Sequence, residues 1–180
     1  MSEVSINKYE NSLTSKNQRI LKIISLIMVI TSTIASILVF IFPFGSYPSL
    51  GGSDVVVDIG LWGYNIGSTR IISILICITF LSNIIFSILL LLQNFEKISS
   101  TKLLTFIAIF GNIILSSLSI ALTITLAVII PPLSTAPTGS WLFSVSLYSS
   151  LISSILLLAF SFVSFKYSDF SRIYSKTSLL

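Results

Sequence analysis

Few side chains in this 180-residue chain could take part in catalysis. The sequence has no His and a single Cys, Cys77, so it offers no Ser–His or Cys–His pair and no usual zinc site. Asp54 and Asp58 could share one face of a strand, but nothing nearby would tune one as an acid and the other as a base. We interpret them as solvated charges, with a weak cation contact as the alternative. We therefore predict that the protein is not an enzyme and expect it to hold no metal and no cofactor.

Two carboxamides, Asn83 and Asn112, lie deep inside apolar stretches of the sequence. A buried amide needs hydrogen-bond partners, so we expect both side chains to face the interior of a helical bundle. The favoured interpretation is an interhelical hydrogen bond, for example between the two, worth about 0.6–2 kcal/mol. The alternative is a polar site or pathway inside the membrane.

These asparagines belong to two of four long stretches that contain no charged residue. A helix rises about 1.5 Å per residue, so each stretch is long enough to cross a hydrocarbon core about 30 Å thick. Composition agrees, because 54% of the residues are hydrophobic and only 9% are charged. We predict an all-α membrane protein, with a four-helix transmembrane bundle forming a single domain over residues 1–180. The predicted spans are residues 23–42, 71–92, 103–130 and 140–165.

The positions of the basic residues predict how these spans are oriented. Nine of the ten Lys and Arg residues lie in tails 1–22 and 166–180 or in the loop 93–102. The positive-inside rule then places both termini in the cytoplasm and puts loops 43–70 and 131–139 outside. We accordingly expect a multi-pass protein of the cell membrane. The first span, at 20 residues, is longer than the apolar region of a typical signal peptide.

Small residues spaced by four are expected to bring the helices close together, because lipid gives apolar side chains no reason to associate. The third span is longer than the bilayer, and its outer end is predicted at Pro131 and Pro132, since proline does not continue a helix. The polar tail before the first span is expected to be mobile or only partly helical. The small pairs include Ser32 with Ser36, Ser117 with Ala121, and Ser150 with Ser154.

Loop 43–70 is the one sizeable segment outside the spans and therefore the best candidate for specific recognition. Its first part, rich in Pro and Gly, is predicted to be a turn-rich linker. Residues 55–59 and 61–66 then predict two short strands with a turn near Gly60 or Gly63, forming a small extracellular β-hairpin or sheet. The ring of a tryptophan at position 62 would either pack on the top of the bundle or anchor at the membrane interface. The candidate interaction residues are Asp58, Leu61, Trp62 and Tyr64.

The sequence resembles the claudin and peripheral-myelin-protein superfamily of four-span proteins. Members of that family have both ends inside, a larger first outside loop and a short second one. Their first loop forms a small antiparallel sheet and carries a Gly-Leu-Trp signature followed by two cysteines. This chain has Gly60-Leu61-Trp62 in the corresponding loop, although the cysteine pair is absent and the loop is shorter. The resemblance implies a claudin-like fold.

Three kinds of function remain open at this point. The first is a structural or interaction protein that acts at the cell surface through loop 43–70. The second is an accessory or regulatory subunit of a transporter, channel or export complex. The third is a small channel, with Ser and Thr faces of the third and fourth spans lining a path in an oligomer. The expected partners are membrane lipids and either another protein or further copies of this chain, through the outer loop or helix faces, and not nucleic acid.

Overall fold

The computed structural model describes residues 3–48, 56–61, 67–95, 102–133 and 142–168. Four helices and three short strands form within these ranges. In chain order the elements are α1 Glu3–Ile41, β1 Gly45–Pro48, β2 Val56–Ile59, α2 Gly67–Asn94, α3 Lys102–Leu133, β3 Leu142–Phe143 and α4 Val145–Tyr167.

The helices form a closed four-helix bundle in which α1 and α3 each pack against both α2 and α4. Each helix contains a segment long and apolar enough to cross a membrane, as the four charge-free stretches predicted. The protein therefore has the architecture of a multi-pass integral membrane protein. The spanning segments are Lys16–Ile41, Thr69–Asn94, Leu103–Ile129 and Val145–Tyr167.

The side chains are distributed inside-out compared with a water-soluble bundle. Large apolar residues such as Ile85, Ile114 and Ile152 are more than half exposed on the outer surface. The buried stripe of α4 consists of five serines and two leucines. Lipid solvates apolar side chains well, whereas small residues inside let the helix backbones approach each other. The interior also contains an apolar core, which includes Met28 and Phe80.

The N-terminal tail corrects one expectation, because α1 begins at Glu3 and continues without a break into the first span. The sequence between residues 3 and 42 contains no Gly or Pro to stop a helix. Once a long apolar helix has formed, adding further residues requires no new nucleation. The segment that was expected to be mobile or only partly helical is therefore helical from residue 3.

Two helix ends also differ from the predicted span boundaries. The third helix includes Pro131 and Pro132 and ends at Leu133, because the fixed φ of proline lies in the helical region and allows a last helical residue. The fourth helix begins at Val145 rather than at residue 140, since residues 142–143 form β3 instead. An apolar stretch read by hydropathy alone does not separate a short strand from the helix that follows it.

The strands form an antiparallel sheet in the order β2-β1-β3. In its register, Gly45 is opposite Ile59 on one side and Phe143 on the other. The strand predicted at residues 55–59 is present as β2, but the described structure does not support its predicted pairing with residues 61–66. The partner of β2 is β1, which lies in the segment predicted to be a linker, and residues 62–66 lie outside the described part of the chain.

The Pro and Gly residues at the start of loop 43–70 indicated a linker, yet β1 forms there, and the positions of two of these residues explain why. Pro48 lies at the end of β1, where the only described neighbouring strand is β2, and a proline lacking an N–H is tolerated at such a position. Gly60 follows β2 directly and lies in a bend. A Cβ at Gly60 would lie 3.0 Å from the Cα of Pro43, so glycine permits a close approach of two backbone segments.

Candidate functional site: the sheet end and the buried polar contacts

The three-stranded sheet is attached to one end of the bundle, which we call the sheet end. The amide of Ser144, beside β3, donates a hydrogen bond of 3.0 Å to the carbonyl of Phe44, beside β1. The Phe44 side chain is fully buried and belongs to the apolar core of the bundle. A sheet of such short strands is marginal alone, so these contacts with the helices stabilise it.

The first turn of α4 also binds the last turn of α1 at the sheet end. The Ser146 hydroxyl lies 2.8 Å from the carbonyl oxygen of Leu38 and 2.7 Å from that of Phe42. The Leu38 carbonyl also accepts from the Phe42 amide at 2.9 Å. The Phe42 carbonyl lies just past the end of α1, where carbonyl groups lack a partner within the helix, so the Ser146 hydroxyl stabilises it. The sheet end is therefore held by contacts from α1, α4 and all three strands.

The four candidate interaction residues have different positions relative to the described structure. Asp58 lies in β2, where its backbone is opposite that of Ser46 in β1. Leu61 is half-buried and packs against the apolar core. Trp62 and Tyr64 lie outside the described residues. The structure thus brings Asp58 and Leu61 to the sheet end, and Leu61 contributes packing there.

Asn112 of α3 makes the interhelical hydrogen bond expected of a carboxamide, but its partner is not Asn83. The Ser87 hydroxyl of α2 donates to Asn112 Oδ1 at 3.3 Å, and Asn112 Nδ2 donates to the carbonyl of Ala108 at 3.0 Å. The suggested pairing of the two asparagines is therefore wrong. Its physical reason is the register of the two helices, which aligns Asn112 with the residue one turn beyond Asn83.

Asn83 is fully buried, and neither its Nδ2 nor its Oδ1 has a hydrogen-bond partner. Ser116 of α3 is also fully buried with an unpartnered hydroxyl. An unsatisfied amide in the middle of a membrane costs free energy, since neither lipid nor apolar side chains replace its hydrogen bonds. Together with Gln93 near the end of α2, these are the buried side chains with unpartnered polar atoms in the described residues.

The α3–α4 interface satisfies its polar groups directly. The Ser154 hydroxyl donates to Ser119 Oγ at 2.9 Å, and the hydroxyls of Thr123 and Ser150 are 3.1 Å apart. Each of these two contacts also includes a hydroxyl that bonds a carbonyl within its own helix. Neighbouring hydroxyls one turn apart therefore form two interhelical hydrogen bonds in succession.

Several of these residues were not singled out from the sequence, among them Ser87, Ser119 and Ser146. Their signal was the spacing of three or four residues between hydroxyls along each span, which marks one face of a helix. The same spacing also produced a wrong expectation. Ser117 and Ala121 lie on the exposed face of α3, not inside the bundle.

An apolar groove of about 420 Å³ lies on the outer surface between α1 and α2. Ile37, Phe40, Cys77 and Leu81 are among the residues that line it. Cys77 is half-buried there, on the wall of a surface that faces the hydrocarbon when the helices span a membrane. In the described residues, no group of three Cys, Asp or Glu side chains is arranged to hold a metal ion.

The end of the bundle opposite the sheet carries a polar cluster of a different kind. Asn94 of α2 donates to the carbonyl of Leu21 at 3.2 Å and to the hydroxyl of Ser25 at 3.3 Å. The ammonium group of Lys22 lies 5.3 Å from the centre of the Phe95 ring, a cation–π contact. This end therefore combines interhelical hydrogen bonds with the basic residues of α1.

With the fold and both groups of candidate residues described, comparison with known proteins adds no relationship: no family model, curated protein or solved structure matches this chain.

Proposed function

We propose that this protein is a non-enzymatic interaction protein of the cell membrane, with a claudin-like topology, which binds a second copy of itself through the sheet end. Both termini would lie in the cytoplasm and the sheet would lie outside, as the distribution of basic residues predicts. The resemblance of Gly60-Leu61-Trp62 to the claudin signature supports this topology.

The observation that carries the proposal is the edge of β2. Within the described residues, β2 has a hydrogen-bonded neighbour on one side only, because the strand order is β2-β1-β3. An edge strand presents unpaired backbone N–H and C=O groups, which are a template for another strand. The contacts of Phe44 and Ser146 with the helices hold this edge on a rigid support.

A second copy of the chain is the partner that suits such an edge best. Two identical edge strands can pair antiparallel about a two-fold axis, which closes the assembly at a dimer. Helices anchored in one membrane also restrict how neighbouring copies approach, so sheet ends lie at the same depth. Asp58 lies in this edge strand, and Trp62 and Tyr64 follow it in the sequence, so we expect them near the contact.

Cysteine crosslinking in native membranes tests the proposal. In a Cys77→Ser background, Val57→Cys and Asp58→Cys each place one thiol on β2. Two successive positions are used because neighbouring residues of a strand alternate between its faces. We expect a disulfide between two copies for at least one of them. Gln18→Cys, an exposed position at the opposite end of α1, is the matched control and should remain uncrosslinked. A chain that stays monomeric with both β2 cysteines would contradict the proposal, and a constant adduct with a different protein would replace the homodimer by a heteromeric complex.

The second candidate function is an accessory subunit of a transporter, channel or export complex. The observation that favours it is the outer face of α3, where Ser117, Ala121 and Thr125 are exposed and spaced by four. Small residues in this arrangement let a helix of another protein approach closely. Substituting Ala121 by Phe would then release a co-purifying partner without changing crosslinking through β2.

The channel function receives no comparable support from the bundle. The hydroxyls of Thr123, Ser150 and Ser154 face one another inside it and are hydrogen-bonded there. These hydroxyls are therefore not available to line a wet path between copies. We therefore retain the interaction protein as the proposal and the accessory subunit as its alternative.

A further inference from the structure

We infer that Asn83 and Ser116 together bind one buried water molecule at the α2–α3 interface. Both side chains are fully buried, and all three of their polar atoms lack a hydrogen-bond partner. Gln93 shares this property in the described part of the chain, but it lies about three turns away, near the end of α2.

The register of the helices brings Asn83 and Ser116 to the same level. The two helices run antiparallel, and the Ser87 hydroxyl contacts Asn112 across their interface. One turn towards the start of α2 leads from Ser87 to Asn83, and one turn towards the end of α3 leads from Asn112 to Ser116. Both steps go in the same direction, so the unpartnered amide and the unpartnered hydroxyl lie at one depth of the bundle.

At this point the Phe86 ring of α2 packs directly against the backbone of α3. Gly111, next to Asn112, has no side chain, and a Cβ there would lie 3.0 Å from two atoms of the Phe86 ring. The ring of Phe86 therefore occupies the space that a larger residue on α3 would need. Buried polar groups that lie at one depth of a bundle, yet form no direct bond, are commonly joined by water.

Water suits this pair of side chains better than an ion or a larger ligand. The Asn83 amide supplies one donor and one acceptor direction, and the Ser116 hydroxyl supplies a third contact, which gives the number of bonds a buried water usually makes. The water oxygen accepts from Nδ2, and its two hydrogens go to Oδ1 and to the serine oxygen. Both side chains are neutral, so nothing at the site would offset the desolvation of an ion.

Water-edited solid-state NMR of the whole protein in lipid bilayers tests this directly. The protein is labelled with ¹⁵N-asparagine, and magnetisation is transferred from water to the side-chain amides. Asn112 is an internal control in the same bundle, because its amide already donates to the carbonyl of Ala108. We expect transfer to Asn83 and none to Asn112, with the Asn83 signal assigned by its loss in Asn83→Leu.

Two serine variants then test whether the water is shared. Ser116→Ala should weaken the transfer to Asn83, since the water loses one of its contacts. Ser119→Ala should leave the transfer unchanged, because the partner of that hydroxyl is Ser154. Absence of transfer to Asn83 in the unmodified protein would overturn the inference, even if no variant folded. Transfer that is unchanged in Ser116→Ala would overturn the shared site.

Discussion

The two interfaces of α3 contain similar residues but satisfy them differently. Against α4, hydroxyls meet in pairs, with Ser154 donating to Ser119 and Thr123 lying 3.1 Å from Ser150. Against α2, the corresponding positions hold one bond of 3.3 Å from Ser87 to Asn112, followed by an amide and a hydroxyl without partners.

The difference shows how residue size determines whether a membrane interface is complete. A serine is short, so two serines on facing helices bring both backbones close and still bond each other. An asparagine is longer and has more groups to satisfy than one facing hydroxyl can provide. The pairs Ser119–Ser154 and Thr123–Ser150 therefore need nothing more, whereas Asn83 and Ser116 require a further hydrogen-bonding molecule.

The largest expected effect comes from forcing the α2–α3 interface apart. Gly111→Leu places atoms where the Phe86 ring lies and should lower the free energy of unfolding by about 1–3 kcal/mol. An SDS titration of the protein in mixed micelles measures this change. Ala159→Leu, on the exposed face of α4, is the control and should change the free energy by less than about 0.5 kcal/mol. Equal effects of the two variants would show that the close approach at Gly111 is not important.

The contact between α4 and α1 at the sheet end gives the next effect. Ser146→Ala removes the hydrogen bonds to the carbonyls of Leu38 and Phe42, so we expect a loss of about 1–2 kcal/mol in the same titration. Ser149→Ala is the matched control, because its hydroxyl bonds only a carbonyl of its own helix at 3.1 Å. A loss no larger than that of the control would contradict the stabilising role of Ser146.

The α3–α4 interface should respond to the loss of one direct hydroxyl contact. Ser154→Ala leaves Ser119 without its donor and should cost about 0.6 kcal/mol, the average for hydrogen bonds between transmembrane helices. Thr125→Ala, on the exposed side of α3, removes only a bond to its own helix and serves as the control. If both variants behave alike, the bond between the two serines does not stabilise the bundle.

The smallest effect is expected at the α2–α3 interface, and its sign is informative. If Ser116 binds water with Asn83, Ser116→Ala destabilises the protein by less than about 0.6 kcal/mol. If its hydroxyl is simply unsatisfied, removing it stabilises the protein, since a buried polar group without a partner is lost. A double-mutant cycle with Asn83→Ala separates these cases, because only a shared site makes the two changes non-additive.

The sequence predicted the helices well because absence of charge over 20 or more residues leaves few alternatives in a membrane. The prediction failed where the same local composition is compatible with two kinds of secondary structure. Leu142 and Phe143 are as apolar as the span that follows, yet they form β3. Pro48 indicated a linker, yet it ends β1. The polar tail before the first span lacks hydrophobic periodicity, yet it continues α1.

The buried polar contacts were predictable in kind but not in pairing. A carboxamide deep in a span had to face the interior, which holds for both Asn83 and Asn112. Which residue it would meet depends on the register between two helices, and the sequence of neither helix determines that. The alignment of Ser87 with Asn112 leaves Asn83 at the level of Ser116. A one-turn difference in register therefore decides which amide is satisfied.

An experimental structure with ordered solvent tests the difference between the two interfaces most directly. We expect one water within hydrogen-bond distance of the Asn83 amide and the Ser116 hydroxyl, and no water between Ser119 and Ser154. A direct bond between Asn83 and Ser116 of 3.5 Å or less, with no water beside them, would contradict the water-bridged α2–α3 interface.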